Sequence, residues 1–98
     1  MKIKTIDVNA KEWFDKANGN SYFSCNITIN FGMKNQKNLF IPFQYGYSDH
    51  YKYVAYNELK NLKLIKTDVE TPFKYYSDNK IIVREHIQRG CLKRELSY

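Results

Sequence analysis

The chain contains few cysteines, prolines and glycines, and cysteine is the residue that cross-links small secreted proteins. Its 98 residues include two cysteines, two prolines and four glycines. Two cysteines are too few for a disulfide framework, and no apolar signal segment precedes them, so we expect a protein of the reducing cytoplasm. No run of about 18 apolar residues occurs, which excludes a membrane-spanning helix and predicts that no membrane is involved.

Catalytic and nucleotide-binding motifs are also missing. The glycines form neither a GxxxxGK[ST] nor a GxGxxG pattern. The residues with the chemistry for a thiol or zinc site are Cys25, His50, His86 and Cys91. Their separations of 25, 36 and 5 residues match no spacing that holds metal ligands on one element, and no local sequence activates either thiol. We therefore expect neither an enzyme nor a cofactor or metal site.

The length and composition fit a single folded domain, residues 1–98. Hydrophobic residues make up 43% and charged residues 27%, which is ordinary for a globular protein, whereas 16% aromatic residues is a high share. A chain this short buries about two thirds of its unfolded surface, so one modest core is expected.

Positive charge is in excess and is unevenly distributed. Sixteen lysines and arginines against ten acidic residues give a net charge of +6. All three arginines, Arg84, Arg89 and Arg94, lie within the last fifteen residues. Such an excess serves solubility, and it also favours an anionic partner, either nucleic acid or an acidic protein surface.

The segment at 9–16 fits two structures. Asn9 as a cap and Glu12 at the third helical position are typical of the start of a short helix. Asn18 and Gly19, followed by an alternating run of apolar residues, are instead typical of a β-hairpin. We favour the hairpin.

Alternating side chains predict three strands in the first half of the chain. Residues 2–8 are rich in β-branched side chains and open the first strand. The predicted core face of the second strand comprises Phe23, Cys25, Ile27, Ile29 and Phe31. The third strand, at 39–43, has Leu39, Ile41 and Phe43 in phase. Proline donates no ladder hydrogen bond, so Pro42 either places this strand at a sheet edge or ends it there.

Two helices and a last strand are predicted in the second half. Ser48 as N-cap predicts a helix over 49–63, and Thr71-Pro72 predicts a short helix that stops at Asn79. The apolar stripe of the first helix comprises Tyr51, Val54, Ala55, Leu59 and Leu62. In the last strand Ile81, Val83 and Ile87 alternate with Arg84, His86 and Gln88, before a bend at Gly90.

This order of elements predicts an α+β fold. Three N-terminal strands and one C-terminal strand form a mainly antiparallel sheet, which packs against one main helix and one short helix.

Basic residues interleaved with aromatic ones form the candidate binding surface. The main helix contributes Tyr53, Tyr56, Lys60 and Lys63, which are predicted to project away from the core. The tail contributes Arg84, His86, Arg89, Lys93 and Arg94, which are predicted to face solvent. Rings beside cations hold single-stranded nucleic acid, and tyrosine and arginine also anchor protein interfaces, so the pattern leaves both partners open.

Three stretches carry a family resemblance: WFDKANGNSYFS (13–24), YGYSDHY (45–51) and CLKREL (91–96). They are similar to a family of small proteins encoded by bacteriophages and prophages. The matching residues are Trp13, Phe14, Gly19, Asn20, Tyr22, Tyr45, Gly46, Tyr47, Asp49 and Tyr51. The chain departs from the family at Ser48, where the family has a second glycine, and in the connector at 64–70.

The resemblance implies an origin in a phage or mobile element and action in the host cytoplasm. Small phage proteins often block host defence enzymes by binding them. The resemblance therefore implies a non-catalytic, anti-CRISPR-like inhibitor whose partner is a host defence nuclease or its ribonucleoprotein complex. The alternative is a small module that binds single-stranded DNA or RNA directly.

Overall fold

A mixed β-sheet with two helices on one face organises the chain. The computed structural model describes residues 2–96, and the strand order in the sheet is β3-β2-β1-β4. Within these residues the elements are β1 (Thr5–Asp15), β2 (Asn20–Ile29), β3 (Lys37–Tyr45), α1 (His50–Asn61), α2 (Pro72–Asp78), β4 (Ile82–Gln88) and a 3-10 helix (Lys93–Leu96). Strands β1, β2 and β3 pair antiparallel, and β4 lies parallel to β1. The predicted α+β fold is confirmed.

The β1–β2 hairpin resolves the ambiguous segment in favour of a strand. The Gly19 N–H donates a 2.7 Å hydrogen bond to the Asp15 carbonyl, and Gly19 has a φ of 70°, which glycine adopts without strain. The Asp15 carboxylate accepts a 2.8 Å hydrogen bond from the Asn18 side chain. This bond, which opposes desolvation, is the main reason that the pKa of Asp15 is lowered.

The register of the sheet gives it an inner and an outer face. On the inner face Ile6 lies opposite Ile29, and Val8 lies opposite Ile27. The core also contains buried side chains from both helices, among them Tyr51, Ala55, Leu59 and Tyr76. Both α-helices therefore cover the inner face, and the outer face carries the side chains of opposite parity.

Two residues predicted for the core face point elsewhere. Phe31 is 66% exposed, because the strand ends at Ile29 and Asn30 turns the chain with a φ of 54°. Phe43 is 40% exposed and lies on the outer face, because the register between β2 and β3 shifts between Phe23 and Cys25. An irregularity of this kind moves the following side chains to the opposite face. The prediction that β3 lies at a sheet edge is confirmed.

The main helix is shorter than predicted at both ends. It begins at His50 with Asp49 as its cap residue, whereas Ser48 lies outside the helix with a φ of 56°. It ends at Asn61, and Lys63 has a φ of 60°, so Leu62 leaves the apolar stripe and is 47% exposed. The predicted cap at Ser48 and the predicted burial of Leu62 are wrong.

Helix α2 and strand β4 agree with their predictions, although β4 ends at Gln88, and Lys93 and Arg94 lie in the 3-10 helix instead of the last strand. Helix α2 begins at Pro72 after Thr71, and Asn79 follows its last residue. In β4, Val83 and Ile87 contact the core, whereas Arg84 and His86 lie on the outer face. Gly90 has a φ of 73° at the predicted bend. No helix among residues 2–96 is long and apolar enough to cross a membrane.

Asn30 and Ser48 have the same left-handed backbone, and their substitution by glycine should have opposite effects. The buried Asn30 side chain accepts hydrogen bonds from the N–H groups of Lys4 (2.7 Å) and Thr5 (3.2 Å), and it donates one to the Lys2 carbonyl (2.9 Å). Asn30→Gly removes these bonds and should lower the free energy of unfolding by about 2–3 kcal/mol. Ser48→Gly relieves the strain of the left-handed backbone, whereas the added glycine raises the entropy of the unfolded chain, which partly offsets this. We expect a net rise in the free energy of unfolding of about 0.5–1 kcal/mol. Urea denaturation of both variants tests this, and effects of the same sign would contradict it.

Candidate functional site

Five aromatic rings form a continuous cluster at one end of the sheet, on and beside its outer face. This aromatic cluster comprises Trp13, Tyr22, Phe43, Tyr45 and Tyr47. Trp13 in β1 lies opposite Tyr22 in β2, and Tyr22 lies opposite Tyr45 in β3. The register shift between β2 and β3 adds Phe43 to the same face.

The rings are stacked in the centre of the cluster and tilted at its edge. Tyr22 and Phe43 are nearly parallel, with an interplanar angle of 10° and centroids 5.0 Å apart. Trp13 stacks on Tyr22 at 5.6 Å. Tyr45 meets Tyr22 edge to face at 5.8 Å and meets Tyr47 in the same way at 6.4 Å. Offset and edge-to-face pairs at these distances hold the rings in place.

Much of this aromatic surface faces solvent. Phe43, Tyr45 and Tyr47 are 40%, 55% and 63% exposed, respectively. Tyr45 and Tyr47 also line a cavity of about 380 Å³, together with Tyr53 from α1. An apolar surface of this kind on a small protein marks an interaction site more often than a chance exposure.

A lysine from the C-terminal segment lies over the cluster. The Lys93 ammonium group is 5.5 Å from the Trp13 ring centroid and 5.8 Å from that of Phe43, which is within cation–π range. The Cys91 N–H donates a 3.0 Å hydrogen bond to the Glu12 carbonyl, and the Leu96 side chain is almost fully buried. These two contacts fix the segment against the sheet and position the lysine.

The predicted tail residues have different surroundings. Arg84 on the outer face forms an ion pair with Asp7, with a second contact of 3.0 Å between Nη2 and Oδ2. Arg89 forms a 2.7 Å ion pair with Glu12. His86 and Arg94 are exposed, as the tail residues were predicted to be. Among the predicted tail cations, Lys93 is the one that contacts the aromatic cluster.

The predicted helical group does not form one surface with the tail. Tyr56 is completely buried and its hydroxyl donates a 2.6 Å hydrogen bond to the Val69 carbonyl, so its predicted exposure is wrong. Lys60 lies over the Tyr56 ring at 5.2 Å. Tyr53 and Lys63 are exposed, but α1 packs on the inner face of the sheet, whereas Arg84 and His86 lie on the outer face.

Sequence reasoning missed the aromatic cluster as a binding surface. The resemblance drew attention to Trp13, Tyr22, Tyr45 and Tyr47 as motif residues and gave them no role. The signal that was available is their position beside predicted strands: Trp13 and Tyr22 flank the turn of the predicted hairpin, and Tyr45 and Tyr47 follow the predicted third strand at 39–43. Phe43 was assigned to the core because the shift in register has no clear mark in the sequence.

The two thiols and His50 are in apolar or structural surroundings. Burial raises the pKa of the Cys25 thiol to about 12, so the thiol stays protonated and weakly nucleophilic at neutral pH. Cys91 is buried and its thiol donates to the Gln88 carbonyl over 3.4 Å. His50 packs edge to face on Phe23 at 6.2 Å. Within the described part of the chain, no group of three or more His, Cys, Asp or Glu side chains is arranged to hold a metal ion.

A functional proposal for this protein rests on the geometry of the molecule. No family model, no curated protein and no solved structure matches this chain. The most distinctive feature of that geometry is the aromatic cluster with Lys93 above it.

The two tail arginines differ in how strongly the fold depends on them. The Glu12 side chain that pairs with Arg89 is 11% exposed, so Arg89→Glu leaves a nearly buried carboxylate facing a second negative charge. We expect this substitution to lower the free energy of unfolding by about 1–3 kcal/mol. Arg94→Glu makes the same change of charge at an exposed position, and we expect an effect within about 0.5 kcal/mol. Equal urea midpoints for the two variants would contradict the structural role of the Arg89–Glu12 pair.

Proposed function

We propose that the protein is a non-catalytic binding protein whose aromatic cluster holds single-stranded nucleic acid. The observation that supports this is the set of stacked rings, from three neighbouring strands, with the Lys93 ammonium group above them. Unpaired bases stack on such rings, and cations beside the rings attract the phosphates. The net charge of +6 adds a long-range attraction for a polyanion.

The shape of the surface favours a single strand over a duplex. The rings lie on and beside the face of a sheet, where they can stack only on bases that have left their own stack. In a duplex the bases are stacked on one another, so their faces are not open to the rings of the cluster. The cavity beside Tyr45 and Tyr47 offers room for one more base at the edge of the cluster.

The expected inhibition of a host defence nuclease is compatible with this binding mode. A small protein that covers single-stranded nucleic acid shields it from a nuclease, or competes for the nucleic acid within a nucleoprotein complex. A direct protein target is the alternative, since tyrosine and tryptophan rings beside cations also dominate protein interfaces. Salt dependence and retention of a partner after nuclease treatment distinguish the two.

Tryptophan fluorescence provides a direct test, because Trp13 is the only tryptophan in the chain and belongs to the cluster. Titration with an oligothymidine of about 10 nucleotides should quench its emission as bases stack on the rings. Phe43→Ala should weaken binding by about 1–3 kcal/mol, the value of one lost stacking contact. Lys93→Glu should weaken binding and lower the slope of log affinity against log salt by about one or more.

Phe73→Ala is the matched control for the loss of an exposed ring, because Phe73 is 80% exposed on α2 and is not one of the five rings of the cluster. It should bind the oligonucleotide like the wild-type chain. Absence of quenching at low salt, or equal weakening by the Phe43 and Phe73 variants, would overturn the proposal. A protein partner that survives nuclease treatment of a host lysate and is lost from the Phe43→Ala variant would instead identify a protein interface.

A further inference from the structure

A groove lies between the two helices and the inner side of β4. Its volume is about 460 Å³, and its lining includes Asp49, Lys52, Tyr53, Phe73, Tyr76 and Glu85. The groove is on the inner face of the sheet, whereas Trp13 and Tyr22 of the aromatic cluster lie on the outer face. Asp49 and Tyr53 line both the groove and the cavity beside Tyr45 and Tyr47. Cavities of this volume accommodate small ligands or single side chains.

The groove exists because the helices leave the edge strand partly uncovered. Strand β4 is at the edge of the sheet, and its inner-face residues Val83 and Glu85 both line the groove. Phe73 at the start of α2 forms the opposite wall and is 80% exposed. A large ring that borders a groove instead of packing into the core is available to a ligand.

The charge of the groove is opposite to that of the whole chain. Two carboxylates, from Asp49 and Glu85, face one ammonium group, from Lys52. Lys52 lies 3.7 Å from Asp49, and both side chains of that pair are substantially exposed to solvent. The groove therefore has one negative charge in excess, although the chain as a whole has a net charge of +6.

Glu85 occupies a position where an apolar residue is expected. It lies opposite Val8, which is fully buried, and its neighbours on the same face of β4 are Val83 and Ile87. Although Glu85 is exposed to solvent, desolvation raises the pKa of its carboxyl group, with Lys52 acting in the opposite direction. A carboxylate in such a position is stabilised by a cation that approaches from the groove.

Tyr76 supplies an independent polar group at the same place. Its side chain is 6% exposed, and its hydroxyl has no hydrogen-bond partner among the described residues. Burial and the nearby Glu85 raise the pKa of this hydroxyl, so it is neutral and able to accept a hydrogen bond. An unpartnered buried hydroxyl costs free energy in the empty protein, which a donor group in the groove would recover.

We propose that this groove binds a guanidinium or primary ammonium group, with the Glu85 carboxylate as its counter-ion. The cation donates hydrogen bonds to Glu85, and the rings of Phe73 and Tyr53 offer faces for a cation–π contact. One bound cation brings the summed charge of Asp49, Glu85, Lys52 and the ligand to zero. The source is either a free amine or an arginine side chain, which share this chemistry.

Chemical-shift titration of the full chain tests the proposal with three probes. N-acetyl-arginine amide represents the arginine side chain, n-butylamine represents a free amine with the same single positive charge, and N-acetyl-citrulline amide is the neutral isostere. We expect saturable shifts at Tyr53, Phe73 and Glu85 with one or both cations, and none with the citrulline compound. Tighter binding of n-butylamine would identify a free amine as the source, and tighter binding of the arginine compound would identify a side chain.

Four substitutions separate a built site from a surface effect. Glu85→Gln should weaken binding of the preferred cation about tenfold, whereas Glu58→Gln, the same change on α1 outside the groove lining, should leave it within about twofold. Tyr76→Phe should weaken binding several-fold without lowering the melting temperature, because the lost hydroxyl has no partner in the described part of the protein. Asp49→Asn, at an exposed position, provides a second charge variant if Glu85→Gln does not fold.

The result that would overturn the proposal is equal shifts with the cations and the citrulline compound, or unchanged binding in both charge variants. The groove and the aromatic cluster are tested with variants of residues that belong to only one of them. Phe43→Ala should leave guanidinium binding unchanged, and Glu85→Gln should leave oligonucleotide binding unchanged, so failure of one proposal does not decide the other.

Discussion

The alternation of side chains along β2 is the constraint on which the rest of the molecule depends. Phe23, Cys25, Ile27 and Ile29 all point inward from this strand and are almost completely buried. A slip of one residue against either neighbour would place this whole row in solvent, so the register is strongly specified. The shift between Phe23 and Cys25 is the point where β3 departs from strict alternation, and it is this departure that brings Phe43 onto the outer face beside Tyr22.

Gly46 connects this sheet to the helical layer. A Cβ atom at this position would lie 2.6 Å from the Phe23 ring and 2.7 Å from the His50 ring, so a glycine is needed where the end of β3 approaches the start of α1. The tyrosines on either side of it belong to the aromatic cluster, whereas Tyr51 enters the core. Within the run of tyrosines at 45–53, local geometry therefore places Tyr45 and Tyr47 in the aromatic cluster and Tyr51 in the core.

The sequence predicts the elements of this fold better than it predicts which side chains are exposed. The hairpin, α2 and the alternation of β4 follow from local signals at Asn18-Gly19, Thr71-Pro72 and 81–87, and these signals act within one element. The predicted exposure of Tyr56 is wrong because its burial depends on two other parts of the chain. The Val69 carbonyl accepts its hydroxyl hydrogen bond, and the rings of Tyr75 and Tyr76 in α2 lie within 6 Å of its own ring. A helical wheel shows the face of α1 toward the sheet and cannot show a second face covered by a connector.

The same limit explains why the candidate sites were not found in the sequence. The aromatic cluster requires the order β3-β2-β1, a shifted register and a C-terminal segment that returns to the sheet, and none of these is a local property. The groove requires β4 to lie parallel to β1 at an edge that the helices do not fully cover. The outer-face rings and Lys93 therefore lie on one side of the sheet, and the excess carboxylate of the groove lies on the other. The net charge of +6 does not show this separation, because it sums the charges of both faces. Two of the tail cations, Arg84 and Arg89, are paired with Asp7 and Glu12.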